Sequence, residues 1–165
     1  GTAAAPGLLW DTLASNAPTA VCSAGSTETT MLRCYADFPD SDGDYSLQQT
    51  IALPSDFTGA IDVKFKYSTV TANAGLNTVW QAAAICVADG EVDDATFNTA
   101  STVTDAGKGT TLLMNDATIT GMTTTGCAAG ELMHLKIQRN RTHASDTMTG
   151  VLHLHGVEVT MRRAQ

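Results

Sequence analysis

The stretch that most constrains the fold is residues 61–67. Ile61, Val63, Phe65 and Tyr67 alternate there with Asp62, Lys64 and Lys66. Successive side chains of a strand point to opposite faces, so a period of two makes one face apolar and the other charged. That is the pattern of a strand half-buried on a sheet. A polar, small-residue segment follows over 68–78 and leads into Val79-Trp80-Gln81-Ala82-Ala83-Ala84-Ile85-Cys86-Val87, apolar on both faces. The two runs read as neighbouring strands at the centre of a β-sandwich.

The rest of the chain supplies partners for them. Strands are expected over 31–38, 45–53, 132–138 and 151–161, with Gly156 a bulge in the last. A weaker, Thr-rich strand is expected over 97–104, and one strand over 111–121 with Asn115-Asp116 as the place for a break. Residues 16–29 are small, polar and punctuated by Pro or Gly, hence loop. Residues 54–59 read as a connection closed by Gly59, and 93–97 have room for one helical turn. No long amphipathic pattern occurs. About eight or nine strands with turns between them call for an antiparallel sandwich. The expected fold is all-β, closed as a jelly roll with an N-terminal extension, an immunoglobulin-like sandwich being the alternative. Residues 1–29 form an N-terminal arm and loop, and 30–165 the sandwich domain.

A length of 165 residues suits one domain with its own core. The formal net charge of -8 repels nucleic acid and anionic membrane surfaces, so neither is an expected partner. No run is long and apolar enough for a transmembrane helix.

Chemistry-bearing residues are few. Asp40, Asp42 and Asp44 alternate around Gly43, a spacing of oxygen ligands that calcium accepts, although Asp and Gly also suit a plain hairpin turn. No other cofactor is called for. A second acidic cluster spans 89–94. His153 and His155 share one strand face, and His134 joins them if 132–138 pairs with the last strand; a sheet face of three imidazoles could hold zinc, whereas the plain reading is an exposed polar face. No Gly-x-Ser-x-Gly elbow occurs, and Gly107-Lys108-Gly109-Thr110 lacks the rest of a phosphate loop, so no enzyme is expected. Trp10, Trp80, Tyr35, Tyr45 and Tyr67 are the candidates for a sugar-stacking platform, with Trp80 better placed in the core.

Four cysteines allow two disulfides. Cys86 and Cys127 stand in similar surroundings, Cys86-Val87-Ala88-Asp89-Gly90-Glu91 and Cys127-Ala128-Ala129-Gly130-Glu131, which suggests similar positions and a possible bridge. Cys22 and Cys34 would then be the second pair. Leu8, Leu9, Trp10 and Leu13 make a short apolar segment, either a first edge strand or an assembly arm.

Several stretches resemble small proteins encoded by bacteriophages and prophages. They include Leu53-Pro54-Ser55-Asp56-Phe57-Thr58-Gly59-Ala60-Ile61-Asp62, Thr102-Val103-Thr104-Asp105-Ala106-Gly107-Lys108-Gly109 and Thr142-His143-Ala144-Ser145-Asp146-Thr147. The resemblance begins at Tyr45 and leaves out the N-terminal arm. It implies a β-sandwich structural or appendage protein of a virion, for which the expected role is a decoration, spike or fibre subunit that meets other virion or filament proteins. The detachable apolar segment from Leu8 to Leu13 makes a homo-oligomer the expected state. An extracellular filament subunit and a carbohydrate- or surface-binding module are the alternatives, and the expected location is the virion or the extracellular space.

Overall fold

The alternating run at 61–67 becomes the middle of the longest strand. In the computed structural model, which describes residues 11–12, 18–23, 33–41 and 45–164, the elements are strands and turns, with no helix among the described residues. The strands are β1 (Asp11–Thr12), β2 (Thr19–Ser23), β3 (Arg33–Phe38), β4 (Ser46–Ala52), β5 (Phe57–Thr69), β6 (Asn77–Val87), β7 (Ser101–Ala106), β8 (Asn115–Thr123), β9 (Leu132–Arg139) and β10 (Leu152–Arg163). They form two five-stranded sheets, ordered β1-β4-β9-β6-β7 and β2-β3-β10-β5-β8. Every pairing is antiparallel. The expected all-β antiparallel sandwich is the observed architecture.

The pairs nest. β3 lies on β10, β4 on β9, β5 on β8 and β6 on β7, as if one long hairpin had been wrapped across two layers. The contacts of β10 with β5 and of β9 with β6 complete the sheets.

The central pair differs from the expectation in one respect. β5 and β6 are not ladder neighbours; they lie in opposite sheets. The connection between them crosses the sandwich, turning through a hydrogen bond from the Leu76 N–H to the Asn73 carbonyl. Their apolar faces therefore meet across the core. Trp80 of β6 stacks on Phe65 at 5.0 Å, and meets Phe38 and Tyr67 edge-on at 5.1 and 5.5 Å. Around this group Ile61, Val63, Met133, Leu135, Ile137 and Leu152 are fully buried. Each such side chain contributes roughly 1.5–3 kcal/mol of transfer free energy.

Other boundaries also move. Residues 19–23, expected as loop, form β2, because Cys22 sits directly opposite Cys34 and the disulfide between them fixes the pairing of a strand with little to bury. Gly59 lies inside β5, at φ 88°, instead of closing a turn. β8 begins only at Asn115, since 111–114 leave the ladder, with Leu112 at φ 62°. The bulge at Gly156 is present as a register shift between Leu154 and Gly156.

Replacing Trp80 by alanine empties the centre of the aromatic group and is expected to cost about 3–5 kcal/mol in urea unfolding. Trp80→Phe should cost less, because the Nε1–H of Trp80 has no hydrogen-bond partner among the described residues and its removal relieves an unpaired donor.

Candidate functional sites

The two cysteine-bearing turns form one structural unit. Cys86 and Cys127 are joined by a disulfide, with Cα atoms 5.0 Å apart. In each turn a glutamate N–H donates to the carbonyl three residues earlier, Glu91 to Ala88 and Glu131 to Ala128. Each glutamate side chain then accepts the N–H of that same alanine, at 2.9 Å and 2.8 Å. Gly90 and Gly130 take φ 84° and 86°, conformations that favour glycine. The repeated Ala-x-Gly-Glu pattern is thus a repeated turn, and the acidic cluster at 89–94 owes Glu91 to it.

At the opposite end of β9 a charge is buried. Met133, Leu135 and Ile137 point inward, and Arg139 continues their phase. It is 1% exposed. Its guanidinium donates to both carboxylate oxygens of Asp146, at 3.1 and 2.9 Å, and to the carbonyls of Met148 and Gly150. Asp146 also accepts the Val79 N–H at 3.0 Å and faces the Thr78 hydroxyl. Every side-chain nitrogen and oxygen of the pair therefore has a hydrogen-bond partner, the condition under which a buried pair is tolerated. This network ties the loop over 140–151 to β6.

Asp40 belongs to the same network. It pairs with Arg141, lies 3.8 Å from Arg139 and accepts the Gly150 N–H at 2.9 Å. Burial works to raise its pKa, but the Gly150 N–H and the two arginines outweigh that and hold it below 3.8. The Asp40 carboxylate thus serves arginines and a backbone donor. Asp42 and Asp44, its expected partners around calcium, lie outside the described residues, as do Leu8, Leu9, Trp10 and Leu13.

His134 lies in the opposite sheet from His153 and His155, so the pairing on which a face of three imidazoles depended is absent. His134 lies on β9, where its Nδ1 is 3.1 Å from the Thr50 hydroxyl. β9 pairs with β4 and β6, never with β10. His153 and His155 lie on β10 and face outward, but not as an exposed polar surface. The Tyr35 ring stacks on His153 at 3.9 Å and meets His155 edge-on at 5.7 Å. His153 is left 8% exposed. Its Nε2 is 3.3 Å from Asp37 Oδ1, within ion-pair reach though off hydrogen-bond alignment. His155 Nε2 shares a 2.8 Å hydrogen bond with the Ser68 hydroxyl. Burial lowers the pKa of both imidazoles, helped by Arg33 in each case, and raises that of Asp37.

A serine beside a histidine invites comparison with a nucleophile and its base. Ser68 is only 1% exposed, and the carboxylate of the cluster pairs with the other imidazole. Attack on a substrate needs both the access and the orienting group that this pair lacks.

Of the candidates for an aromatic platform, Tyr35 covers the two imidazoles, Trp10 lies outside the described residues, and the other three belong to the core or pack against it. Trp80 and Tyr67 are fully buried, and the Tyr67 hydroxyl donates to Asp105 at 2.7 Å. Burial, with that bond, pushes the phenol well above its usual range. Tyr45 packs partly against the core. The Gly-Lys-Gly segment is a turn in which Lys108 donates to the Met114 carbonyl. A side chain at Gly107 would collide with the Asn73 carbonyl at 2.6 Å. Sequence reading missed the Arg139–Asp146 pair, whose signal was available: an arginine in the apolar phase of a strand.

No protein-family model matches the chain, and no curated protein matches it. Among solved structures it is similar to the enzymatically active domain of tailspike protein 4 from bacteriophage CBA120, at TM-score 0.48 and 10% identity over 94% of this chain and 20% of that one. The chain thus spans about a fifth of the length of that tailspike structure. It is also similar to TmCBM61, determined in complex with beta-1,4-galactotriose, at TM-score 0.37 and 16% identity over 78% of this chain and 71% of that one.

Replacing Asp146 by alanine strands the Arg139 guanidinium. The expected loss is about 3–5 kcal/mol. Raising the salt concentration should leave that loss almost unchanged, since a buried pair is poorly screened. Denaturant unfolding at two ionic strengths measures both.

Proposed function

We propose that the chain is a structural subunit of a phage virion, of the decoration, spike or fibre kind, which assembles with copies of itself. The observation that carries this reading is the edge of β4. Only Leu47 and Gln48 of that edge are paired, with Thr12 and Asp11, and no other described strand covers it. An uncovered strand edge is a template for an added strand.

The course of β4 says what would fit. Beyond Gln48 the uncovered edge runs through Gln49, Thr50 and Ile51, so a segment with apolar residues at alternate positions, as at Leu8 and Trp10 in the sequence, suits it. Ile51 already packs against the core, so such a strand on that edge adds apolar surface beside it. Supplied by a neighbouring copy, the segment becomes the assembly arm. On this reading 1–29 is the arm region, 30–165 the sandwich domain, and the nested strand order a jelly roll.

The sequence resemblance to phage-encoded proteins supports the virion context. Two disulfides fit a protein that works outside the reducing cytoplasm. Among the described residues no helix is long and apolar enough to cross a membrane.

Deleting residues 1–16 tests the reading. Light scattering should show a lower assembled mass, while the melting temperature of the sandwich stays within a few degrees. A truncated protein that assembles as before removes the arm. A full-length monomer retained on glycan beads supports the surface-binding alternative in its place.

A further inference from the structure

We propose that Tyr35, Asp37, His153 and His155 form an acid-sensitive latch, which seats the outer half of the β2–β3 ribbon on the sandwich at neutral pH and releases it in weak acid. The inner end of the ribbon is anchored, since Phe38 is buried against Trp80 and Asp40 accepts the Gly150 N–H. Among the described residues the outer half has no such anchor. β3 pairs with β10 through Phe38, Asp37 and Ala36 alone, opposite Leu152, His153 and Leu154. Beyond Leu154 the bulge intervenes, and β10 continues in register with β5 only. Arg33, Cys34 and Tyr35 are thus outside the β10 ladder. Among the described residues, that half of β3 meets β10 through the Tyr35 ring on the two imidazoles. The Cys22–Cys34 disulfide makes β2 and β3 one body, so they stay or leave together.

The seat suits neutral imidazoles. His153 is buried beneath Tyr35, and its Nδ1 has no hydrogen-bond partner among the described residues. An added proton there is an unpaired buried donor on a cation. The charged groups around it are few. Arg33 on β3 opposes protonation of both rings, and His153 opposes that of His155; Asp37 favours the His153 cation. On β5, Ser68 is uncharged and Lys66 is engaged by Asp116 and Glu158. The described residues of β2 that flank Tyr35 and Asp37 carry no charge.

The sign follows from linkage. Both imidazoles are depressed below 6.5 in the seated state, so a released ribbon binds more protons. The seated state keeps its full advantage above pH 6.5 and loses it as pH falls toward the depressed values. Asp37, raised above 3.8, works the other way, but in the more acidic carboxylate range. Release is therefore strongest between the two ranges.

Amide hydrogen exchange on the full chain, corrected for the intrinsic pH dependence, tests this. Between pH 7.5 and pH 5.5, protection over 21–23 and 33–35 should fall about tenfold, while that of β5 and β6 holds. The same comparison on His153→Gln/His155→Gln should show no pH-dependent loss in the ribbon. An equal fall in every strand, or unchanged protection over 21–23 and 33–35, overturns the proposal, as does a loss that persists in the double variant. Should the variant not fold, proton NMR titration of the wild-type rings decides. Both must titrate below 6.5 with the ribbon's resonances shifting alongside, and titration at or above that value overturns the latch.

Discussion

The sandwich depends on Trp80. Its ring leaves one sheet and enters the other, lying against Phe65, Phe38 and Tyr67. Two sheets packed face to face are held by whatever interdigitates between them. In this chain aromatics are scarce, and four of them are spent at one point. The small residues around it follow from that choice. Ala82, Ala84 and Ala117 are buried in the same cluster, so large rings are matched by short neighbours. A core packed this way tolerates little change in volume at its centre.

The Arg139–Asp146 pair solves a different problem. The loop over 140–151 crosses the end of the sandwich with little apolar surface of its own. Its carbonyls at Met148 and Gly150 and its carboxylate at Asp146 converge on one guanidinium. A planar group with five donors satisfies several acceptors at once, which lysine cannot do. The arginine thus organises the loop backbone, and Asp40 adds the turn after β3 to the same arrangement.

The legible parts of the structure were those written in local period. Residues 61–67 and 132–138 alternate cleanly and lie in strands with the expected inward faces. What was not legible is which strands meet. The chain alone does not say that 70–76 crosses between sheets, so β5 and β6 were placed side by side. Nor does it say that β10 lies beside β3, and for that reason the contact of Tyr35 with His153 has no local signature. β2 was missed for another reason. Thr19, Ala20 and Cys22 are exposed, and its ladder is specified by a covalent partner instead of a buried face. The paired turns were the reverse case, since the Ala-x-Gly-Glu repeat carries its own hydrogen-bond pattern.

The two disulfides act on different scales. Cys86–Cys127 spans 41 residues and ties the end of β6 to the connection between β8 and β9. By the chain-entropy model a loop of that size is worth about 4 kcal/mol, a large share of an ordinary domain's stability. Cys22–Cys34 spans 12 residues and leaves the rest of the chain as free as before. Its effect is to stiffen one ribbon, not to fasten that ribbon to the body. A stiff element on a short ladder moves as a unit beyond its anchored end at Phe38, because no part of it can bend to keep the outer contacts. The strength of its seat then rests on the few side chains across the joint, and two of those are histidines.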